Sequence, residues 1–522
     1  MMRPNATSSS SSASPTPEAS AVDGMDRRQF LAAASTAALT FSVVPRHVLG
    51  GARHIPPSEK INVAYVGAGT QGLRQLMEAL PREELKIVSV CDPNADSNDY
   101  VAWSRHEIRD KVRAFLKRPS WGEGIEGCRC GREVGREIID SYYAMNSPSG
   151  SYQGCSTYAD FRELLERESD IDAAYIMTPE HLHATIAVAA MNKGKHVIQH
   201  KTLSNMLAEA RLSRDTAART GAATHMFCAA GIGSTATISE WIADGAIGPV
   251  REVHNWSSRP FWPQGMTEYP QDRPPVPKGL DWDLWLGPVP HRPYHPAYTH
   301  AVFRGWYDFG SGPLGDMGNY SFYQIFKILN LGAPISVEAG RSQYWAIVDG
   351  LWVKQENKVS FPRACMIHFE FPARGERPPV DLYWYDGGLR PPLPKELEAD
   401  GQDMPTEGLL FVGDKGKLLA DFIGGNPRLI PSAKMAAYKQ PPQALPRPAG
   451  ELDQWIRACQ GGEPSGASFQ NIYAFAEAVC LGLIALRFEK KLKWDSAAMQ
   501  FANAPEANAL LKREYRKGWE LI

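Results

Sequence analysis

A glycine-rich turn between a strand and a helix constrains this chain more than any other feature of its sequence. Ile61–Val66 is apolar and rich in strand-forming residues, and it leads directly into the pattern G-x-G-x-x-G at 67–72. A helical pattern follows from Leu73 to Leu80. Glycines at these positions allow a tight turn and let the backbone approach a pyrophosphate at the helix N-terminus. The turn therefore predicts a dinucleotide-binding unit, with contacts from Gly67, Gly69, Thr70, Gln71 and Gly72.

An acidic residue follows the next strand at the spacing that such a unit requires. Leu85–Cys91 is a second apolar segment, and Asp92 ends it twenty residues after Gly72. A carboxylate there can accept hydrogen bonds from the adenosine ribose hydroxyls and would repel a 2′-phosphate. The sequence therefore predicts NAD rather than NADP as the cofactor.

Strands and helices continue to alternate up to residue 227. The predicted strands are Ile171–Met177, His196–Gln199 and Ala223–Phe227, and the predicted helices are Asp160–Glu168, His181–Asn192 and Leu207–Thr220. Such alternation predicts βαβ units in a doubly wound parallel sheet. We place a Rossmann domain at 58–230 with an insertion at 93–157.

The insertion is predicted to contain two helices, His106–Lys117 and Glu133–Ala144, and a group of three cysteines. Cys128, Cys130 and Cys155 lack a histidine at ligand spacing, so no metal site is predicted. In an exported protein, one of the first two would instead pair with Cys155 in a disulfide.

The second half of the chain, 231–522, is predicted to form an α/β domain for substrate binding and oligomerisation. Its alternating segments are Val250–Trp256, Cys365–Phe371, Val380–Tyr385, Leu409–Val412 and Lys417–Phe422, with a hairpin turn at 414–416. Two late helices are predicted around Leu452–Gln460 and Phe469–Arg487.

The first 52 residues have the composition of a targeting segment. Residues 1–24 are rich in Ser, Ala and Pro, which predicts disorder. Arg27 and Arg28 then precede Phe30 and a weakly apolar run that ends at Val44, which is typical of a twin-arginine-like signal peptide. This predicts a periplasmic or otherwise exported protein, or a cytoplasmic one if the signal is not functional; the alternative structure is an ordinary amphipathic helix.

Charge and hydropathy exclude two classes of partner. The chain has 56 Lys and Arg against 58 Asp and Glu, a formal net charge of −2, with no basic block. Nucleic-acid binding needs a strongly basic face and is not expected. No later segment approaches the roughly 18 apolar residues of a membrane span, so none is predicted in the mature chain.

Several motifs in fixed order resemble the Gfo/Idh/MocA oxidoreductases. They are T-P-E-H-L-H-A at 178–184, G-K-H-V-I-Q-H-K-T-L at 194–203, D-W-D-L-W-L-G-P at 281–288, F-R-G-W-Y-D-F-G at 303–310 and G-D-M-G-N-Y at 315–320. The similarity covers about 400 residues. It implies a Rossmann domain, a C-terminal α/β domain with a large open, mainly antiparallel sheet, and an active site between them.

The resemblance also implies which residues form that site. The family motif Glu-Lys-Pro corresponds here to His200-Lys201-Thr202, and Lys201 would contact the nicotinamide side and the substrate hydroxyl. The family motif Asp-x-Gly-x-His corresponds to Asp316 through Tyr320. Tyrosine in the last position is similar to the glucose–fructose oxidoreductase branch, whose members use it as acid/base.

The chemistry of these residues supports the assignment. A free tyrosine titrates near 10, and an adjacent Lys201 ammonium would favour the phenolate of Tyr320. Asp316 lies four residues before Tyr320, so a helix starting there would place both on one face and let the carboxylate orient substrate or hold Lys201. Alternatively, Asp316 caps the helix, Tyr320 belongs to the core, and His200 is a base, a cofactor contact or a buried spacer.

Further contacts are assigned by the same resemblance. For the cofactor they are Thr178, Pro179, His181 and His200, and for the substrate His183. Arg304, Trp306 and Tyr307 are also predicted to contact the substrate, because aromatic faces with interspersed polar groups suit a sugar ring. The alternatives are structural histidines and an indole that packs the domain junction.

Three functions are consistent with the sequence. The first is an exported NAD-dependent oxidoreductase acting on a hydroxyl of a sugar, glycoside or polyol. The second is a glycoside-cleaving enzyme of the same fold, in which bound NAD oxidises the sugar transiently and elimination breaks the glycosidic bond. The third is a non-catalytic ligand-binding homologue. The open sheet face also predicts a homo-oligomer.

Overall fold

The computed structural model describes residues 55–521. The predicted signal and its preceding segment, 1–52, lie outside the described residues. Within the described part of the chain, no helix is long and apolar enough to cross a membrane.

The first half of the chain builds a parallel sheet in the strand order that the glycine pattern predicts. Its six strands are β1 Ile61–Val66, β2 Leu85–Cys91, β3 Ser156–Tyr158, β4 Ala173–Ile176, β5 His196–Gln199 and β6 Thr224–Met226. They lie side by side in the order β3-β2-β1-β4-β5-β6 with parallel pairing. This is the arrangement of a doubly wound dinucleotide-binding sheet.

Helices cover both faces of this sheet, because the side chains of a buried strand alternate between the faces. In β1, Val63 and Tyr65 belong to one apolar cluster, whereas Ala64 and Val66 belong to another. The helices of this half are α1 Thr70–Ala79, α2 Glu107–Leu116, α3 Arg132–Met145, α4 Phe161–Arg167, α5 His183–Asn192 and α6 Leu207–Thr220.

The second half builds a larger mixed sheet and a separate hairpin. Its strands are β7 Val250–Trp256, β8 Ser336–Arg341, β9 Tyr344–Val348, β10 Leu351–Gln355, β11 Cys365–Phe371, β12 Val380–Tyr385, β13 Gly408–Gly413, β14 Gly416–Ala420, β15 Arg428–Ile430, β16 Leu492–Asp495 and β17 Gln500–Phe501. Nine of them form one sheet in the order β15-β14-β13-β7-β12-β11-β8-β16-β17, and β9 and β10 form the hairpin. Among the described strands of the nine-stranded sheet, β7 and β12 pair in parallel and the other neighbours pair antiparallel.

Aromatic side chains hold one face of the large sheet against helices. The helices of this half are α7 Ser234–Ala243, α8 Trp282–Leu286, α9 Asn319–Leu329, α10 Lys395–Ala399, α11 Ser432–Ala437, α12 Glu451–Cys459 and α13 Phe469–Ala485. Phe322 of α9 packs edge-on against Phe369 of β11 at 5.8 Å between ring centroids. Along β11 the side chains alternate between buried and partly exposed, as expected for a sheet that is covered on one face.

The predicted fold class is confirmed: a parallel Rossmann sheet is followed by a mixed, mostly antiparallel one. The exposed hairpin β9–β10 and the short strands β15–β17 were not predicted. None of them is longer than five residues, and the apolar residues of the hairpin strands do not alternate with polar ones. The expected disulfide is not formed. Within the described residues all eight cysteines are free, and Cys128 and Cys130 lie with their Sγ atoms 4.0 Å apart.

Candidate active site

The glycine-rich turn is fixed by contacts with the rest of the Rossmann sheet. Gly67 has φ +101°, and a Cβ on it would lie 2.6 Å from the backbone of Met177 after β4. A Cβ on Gly72 would lie 2.1 Å from the carbonyl oxygen of Gly67. Neither position can hold a larger residue without moving the backbone, so the glycines are required by the turn itself.

This turn lines a cleft, which we call the glycine cleft. Nine of the ten residues predicted to contact the cofactor line it: Gly67, Gly69, Thr70, Gln71, Gly72, Asp92, Thr178, Pro179 and His200. The N-terminus of α1 begins at Thr70 in the cleft wall, and the free N–H groups of a helix start attract phosphate.

Asp92 lies at the end of β2 in the wall of the same cleft. Its Oδ2 accepts the N–H of Ala68 at 2.7 Å, and its Oδ1 accepts the N–H of Asn94 at 2.8 Å. Burial raises the pKa of Asp92, and these two hydrogen bonds oppose the rise. The carboxylate is thus held in a fixed orientation in the cleft wall. A glycine turn, a helix N-terminus and a buried acid together fit NAD.

A wall that the sequence did not predict closes this cleft from the insertion. The ring of Tyr100 stacks on His300 of the second half at 3.7 Å between centroids, and Asp99 lies 3.3 Å from His300 Nε2. Both Tyr100 and His300 line the glycine cleft. No motif marks Tyr100 in the sequence, since its position depends on contacts between segments about 200 residues apart.

A second cavity, which we call the inner cavity, adjoins the glycine cleft. Its volume is about 580 Å³. The cleft and the cavity share the lining residues Thr70, Gln71, Val101, His200, Ala301 and Arg304. Lys201, Asp316 and Tyr320, the three predicted catalytic residues, all line the inner cavity beside this junction.

Lys201 and Arg304 both bond to one oxygen of Asp316. The Lys201 ammonium donates to Asp316 Oδ1, and Arg304 Nε donates to the same oxygen at 3.0 Å. Burial lowers the pKa of Lys201, and Asp316 opposes that effect. Burial alone would raise the pKa of Asp316, but the two cations hold it well below its usual value. Asp316 is therefore ionised and holds Lys201 in place.

Tyr320 stands beside this ion group and faces a histidine. Its hydroxyl lies 3.4 Å from His200 Nε2, and the Lys201 ammonium lies 5.3 Å from the centre of its ring. Burial and the negative charge of Asp316 raise the pKa of Tyr320. Burial and the charge of Lys201 lower the pKa of His200. Burial, together with the charge of Asp316, thus favours the neutral hydroxyl over the predicted phenolate.

The local geometry around Asp316 also differs from the prediction. The residue lies in a π-helical turn, Leu314–Gly318, and the α-helix begins only at Asn319. Turns of this kind often occur at functional sites because they re-aim a side chain without ending the helix. Asp316 and Tyr320 still reach the same cavity.

The sequence assigned no role to one buried carboxyl group near the site, that of Glu180. Glu180 is 2% exposed and accepts a hydrogen bond from Ser311 Oγ at 2.8 Å. Burial raises its pKa, and Arg304 and Lys201 oppose the rise. The position of Glu180 directly after Thr178 and Pro179 was the available signal that it lies near the site. Its burial beside two cations could not be predicted from the sequence.

The structure places the remaining predicted residues behind the site. His181 has no exposed surface, and its Nε2 lies 2.9 Å from the carbonyl oxygen of Trp285. His183 is equally buried between the carbonyl oxygens of Thr178 and Thr202, at 2.9 and 2.6 Å. Burial lowers the pKa of both, to about 3 and about 4, and the neighbouring carbonyl oxygens oppose that effect.

Four residues were predicted to contact the substrate, and all four are described in the structure. Of these, only Arg304 lines the cleft and the cavity. Trp306 is 1% exposed, and its indole N–H donates to the Ala297 carbonyl at 2.7 Å. Tyr307 is buried against Phe361, with ring centroids 4.5 Å apart.

Two protein-family models match this chain. Residues 137–227 match the model of the oxidoreductase family, NAD-binding Rossmann fold (GFO_IDH_MocA). Residues 249–367 and 395–521 match the model of the oxidoreductase family, C-terminal alpha/beta domain (GFO_IDH_MocA_C2). The chain belongs to the Gfo/Idh/MocA family of oxidoreductases. Like the family, it carries an NAD-binding Rossmann domain.

Similar proteins include a levoglucosan dehydrogenase from Pseudarthrobacter phenanthrenivorans, 33% identical over 112 residues. That alignment spans 20% of this chain and 28% of the relative. The WlbA dehydrogenase of Bordetella pertussis, solved with NADH and UDP-GlcNAcA, has a TM-score of 0.50 at 13% identity over 84% of this chain and 99% of its own. The aldose-aldose oxidoreductase of Caulobacter crescentus, solved with glycerol, has a TM-score of 0.47 at 16% identity over 83% and 100%. At such identities the structural likeness to WlbA concerns the fold alone.

Proposed function

We propose that this oxidoreductase transfers hydride between NAD and a hydroxyl-bearing carbon of a sugar, glycoside or polyol. One observation carries the proposal: Lys201, Asp316, Tyr320 and His200 converge where the inner cavity adjoins the glycine cleft. A substrate bound there would have its reacting carbon beside the nicotinamide end of the cleft and its hydroxyl beside titratable groups.

In this proposal the proton leaves through Tyr320 and His200. Because the pKa of Tyr320 is raised, its hydroxyl is protonated and can accept a proton only while it gives its own away. His200 Nε2, 3.4 Å from that hydroxyl, is placed to accept the tyrosine proton. Because burial and the charge of Lys201 lower the pKa of this imidazole, it holds the proton only in passing. The substrate O–H proton therefore moves to Tyr320 Oη as the tyrosine proton moves to His200 Nε2, and the C–H bond breaks with its electron pair leaving as hydride.

The cations of the site act on the charge that develops on the substrate oxygen. When bound, NAD supplies the carbon that accepts the hydride. Lys201 and Arg304 lie where they stabilise negative charge on the reacting oxygen. Asp316 uses Oδ1 for both cations, which leaves Oδ2 for a second substrate hydroxyl and so for orienting the ring.

The substrate class is supported by what lines the inner cavity. Aromatic and polar side chains are mixed there, including Tyr320, Gln71 and Asp316, which suits a ring with an apolar face and a hydroxylated rim. The partial match to a levoglucosan dehydrogenase points the same way.

The test is turnover against a panel of sugars, glycosides and polyols, with two readouts: cofactor reduction by absorbance and release of free sugar. We expect cofactor reduction. Tyr320→Phe should lower kcat by about 10²–10⁴-fold, the usual contribution of a general acid or base. Tyr323→Phe is the matched control, since Tyr323 is a buried tyrosine one turn further along α9 and should change kcat by less than about twofold.

Other results would select the rival functions. Sugar release without net cofactor reduction would identify the glycoside-cleaving enzyme, in which the hydride returns to the substrate. Intact turnover in both Lys201→Met and Tyr320→Phe would overturn the assigned residues. Cofactor binding without turnover of any sugar would favour a non-catalytic homologue.

Export and self-association are part of the same proposal. Export is supported by Arg27 and Arg28 and the apolar run after them, which lie outside the described residues. Assembly into a homo-oligomer is supported by the uncovered face of the nine-stranded sheet, where Met366 is 37% exposed.

A further inference from the structure

The mouth of the inner cavity is built from side chains that the proposed mechanism does not use. Three segments meet there: Val101–Trp103 from the insertion, Arg259–Pro263 after β7, and Arg74 on α1. We call this group the cavity mouth. It lines the same cavity as Lys201 and Tyr320.

Two large aromatic side chains of the cavity mouth are exposed to solvent. Trp103 is 69% exposed and Phe261 is 59% exposed. Their rings meet nearly at a right angle, 85°, with centroids 6.2 Å apart, although 158 positions separate them in the chain. Exposed aromatic surface gathered at the edge of a cavity is the usual sign of a binding surface.

The cavity mouth is held in place by its own contacts. The backbone N–H of Trp103 donates to Glu107 Oε2 at 3.0 Å, and Glu107 also accepts the Arg74 guanidinium at 2.7 and 2.9 Å. The Arg259 guanidinium lies 4.0 Å above the Phe261 ring. A ligand that stacks here therefore meets a surface whose backbone and cations are already fixed, which lowers the cost of binding.

The charges of the cavity mouth favour a neutral ligand. Arg74 is paired with Glu107, and Arg259 lies 3.3 Å from Glu407. With each cation balanced by a carboxylate, no excess positive charge is left to select a phosphate or a carboxylate. The guanidinium groups still have N–H groups that can donate to hydroxyl oxygens.

We propose that the cavity mouth is a second sugar subsite, which binds the next pyranose ring of a disaccharide or longer glycoside whose first ring reacts at Lys201 and Tyr320. The apolar face of that ring stacks on Trp103, and its edge lies against Phe261, whose ring stands nearly at a right angle to the indole. Its hydroxyls accept from Arg259. The volume agrees: about 580 Å³ is roughly twenty water volumes and exceeds what one hexose ring fills. This inference rests on the proposed function.

The test measures binding separately from turnover. Isothermal titration calorimetry in the presence of NADH would compare cellobiose, maltose, trehalose and sucrose with glucose and fructose. We expect at least one disaccharide to bind about tenfold more tightly than either monosaccharide. Trp103→Ala should abolish that gain and leave the monosaccharide affinity unchanged. Trp352→Ala is the matched control, since Trp352 is a tryptophan 75% exposed on the hairpin β9–β10, away from the cavity.

Three results would overturn the subsite. In the first, no disaccharide binds more tightly than the monosaccharides. In the second, Trp103→Ala weakens the binding of disaccharides and monosaccharides equally. In the third, p-nitrophenyl glucoside shows the gain in affinity but none of the disaccharides does, which would identify an aromatic aglycone as the ligand instead. Failure of the proposed function is distinguishable, because it would leave the calorimetric gain and its loss in Trp103→Ala in place while none of these sugars reduced the cofactor.

Discussion

Replacing Asp316 by asparagine tests the ion group on which the proposed mechanism depends. Asparagine keeps the shape of the side chain and removes its charge, so that Lys201 and Arg304 remain as neighbouring buried cations. Lys201 is 3% exposed, and the Arg304 side chain is 19% exposed. Water can therefore do little to replace the lost carboxylate.

The size of the effect follows from the geometry. At an effective dielectric constant of about 20, unit charges at the 3.0 Å that separates Arg304 Nε from Asp316 Oδ1 attract by about 5–6 kcal/mol. The cost of having buried the carboxylate offsets part of that attraction. Removing one partner of a buried pair costs about 3–5 kcal/mol in measured cases. We expect Asp316→Asn to lower the free energy of unfolding by about 3 kcal/mol, the lower end, because the amide oxygen still accepts one hydrogen bond.

The deficit should depend on pH, with a defined sign. In the variant, Lys201 keeps the burial and the Arg304 charge that lower its pKa and loses the carboxylate that raises it. Its folded-state pKa then lies further below the unfolded value of about 10.4. Between those two pKa values the unfolded chain binds a proton that the folded chain does not, so the free energy of unfolding rises with pH. The deficit relative to the wild type should therefore shrink between about pH 7 and about pH 10.

Equilibrium urea unfolding, followed by tryptophan fluorescence at both pH values, measures these quantities. The matched control is Asp414→Asn, which breaks the exposed Arg251–Asp414 pair at 2.8 Å and should scarcely change the unfolding curve. The reasoning is refuted if Asp316→Asn costs no more than Asp414→Asn, or if its deficit grows as pH rises.

Two further predictions concern the glycine cleft. Gly72→Ala should weaken NADH binding at least tenfold, since its Cβ would lie 2.1 Å from the Gly67 carbonyl oxygen and displace the turn. Fluorescence titration of NADH measures this affinity. Gly340→Ala is the control and should bind NADH normally, because an added Cβ there would meet no atom within 4 Å. Asp92→Asn should lower the preference for NAD over NADP by about tenfold, because a neutral amide no longer repels the 2′-phosphate. The ratio of the two Kd values measures that preference, and an unchanged ratio would contradict the assigned role of Asp92.

Much of the fold could be predicted from the sequence, because it depends on residues that are close together in the chain. The alternation of apolar residues in Val250–Trp256 and Val380–Tyr385 located those strands to the residue. The turn at 67–72 predicted the βαβ unit and five of the residues that line the glycine cleft. Hairpin β9–β10 escaped prediction, because its apolar side chains do not alternate with polar ones.

The sequence predicted that Lys201, Asp316 and Tyr320 would lie together, and the three line one cavity, but their electrostatics could not be predicted. The pKa of Tyr320 depends on its burial and on the charge of Asp316, which reaches Lys201 from 115 positions away. Likewise, nothing in the sequence separates His181 and His183 from the residues that line the cavity. In the structure both imidazoles bond to backbone carbonyl oxygens and lie away from the cavity surface.

The sequence by itself therefore determined the fold class, the cofactor turn and the grouping of Lys201, Asp316 and Tyr320. Only the tertiary structure decided which of them are charged, which are exposed, and that the insertion brings Tyr100 and Trp103 to the cleft and cavity. The physical reason is the range of the forces involved. Strand and helix patterns require only the next few residues, whereas a pKa and an exposed surface depend on the burial and charges that distant segments supply.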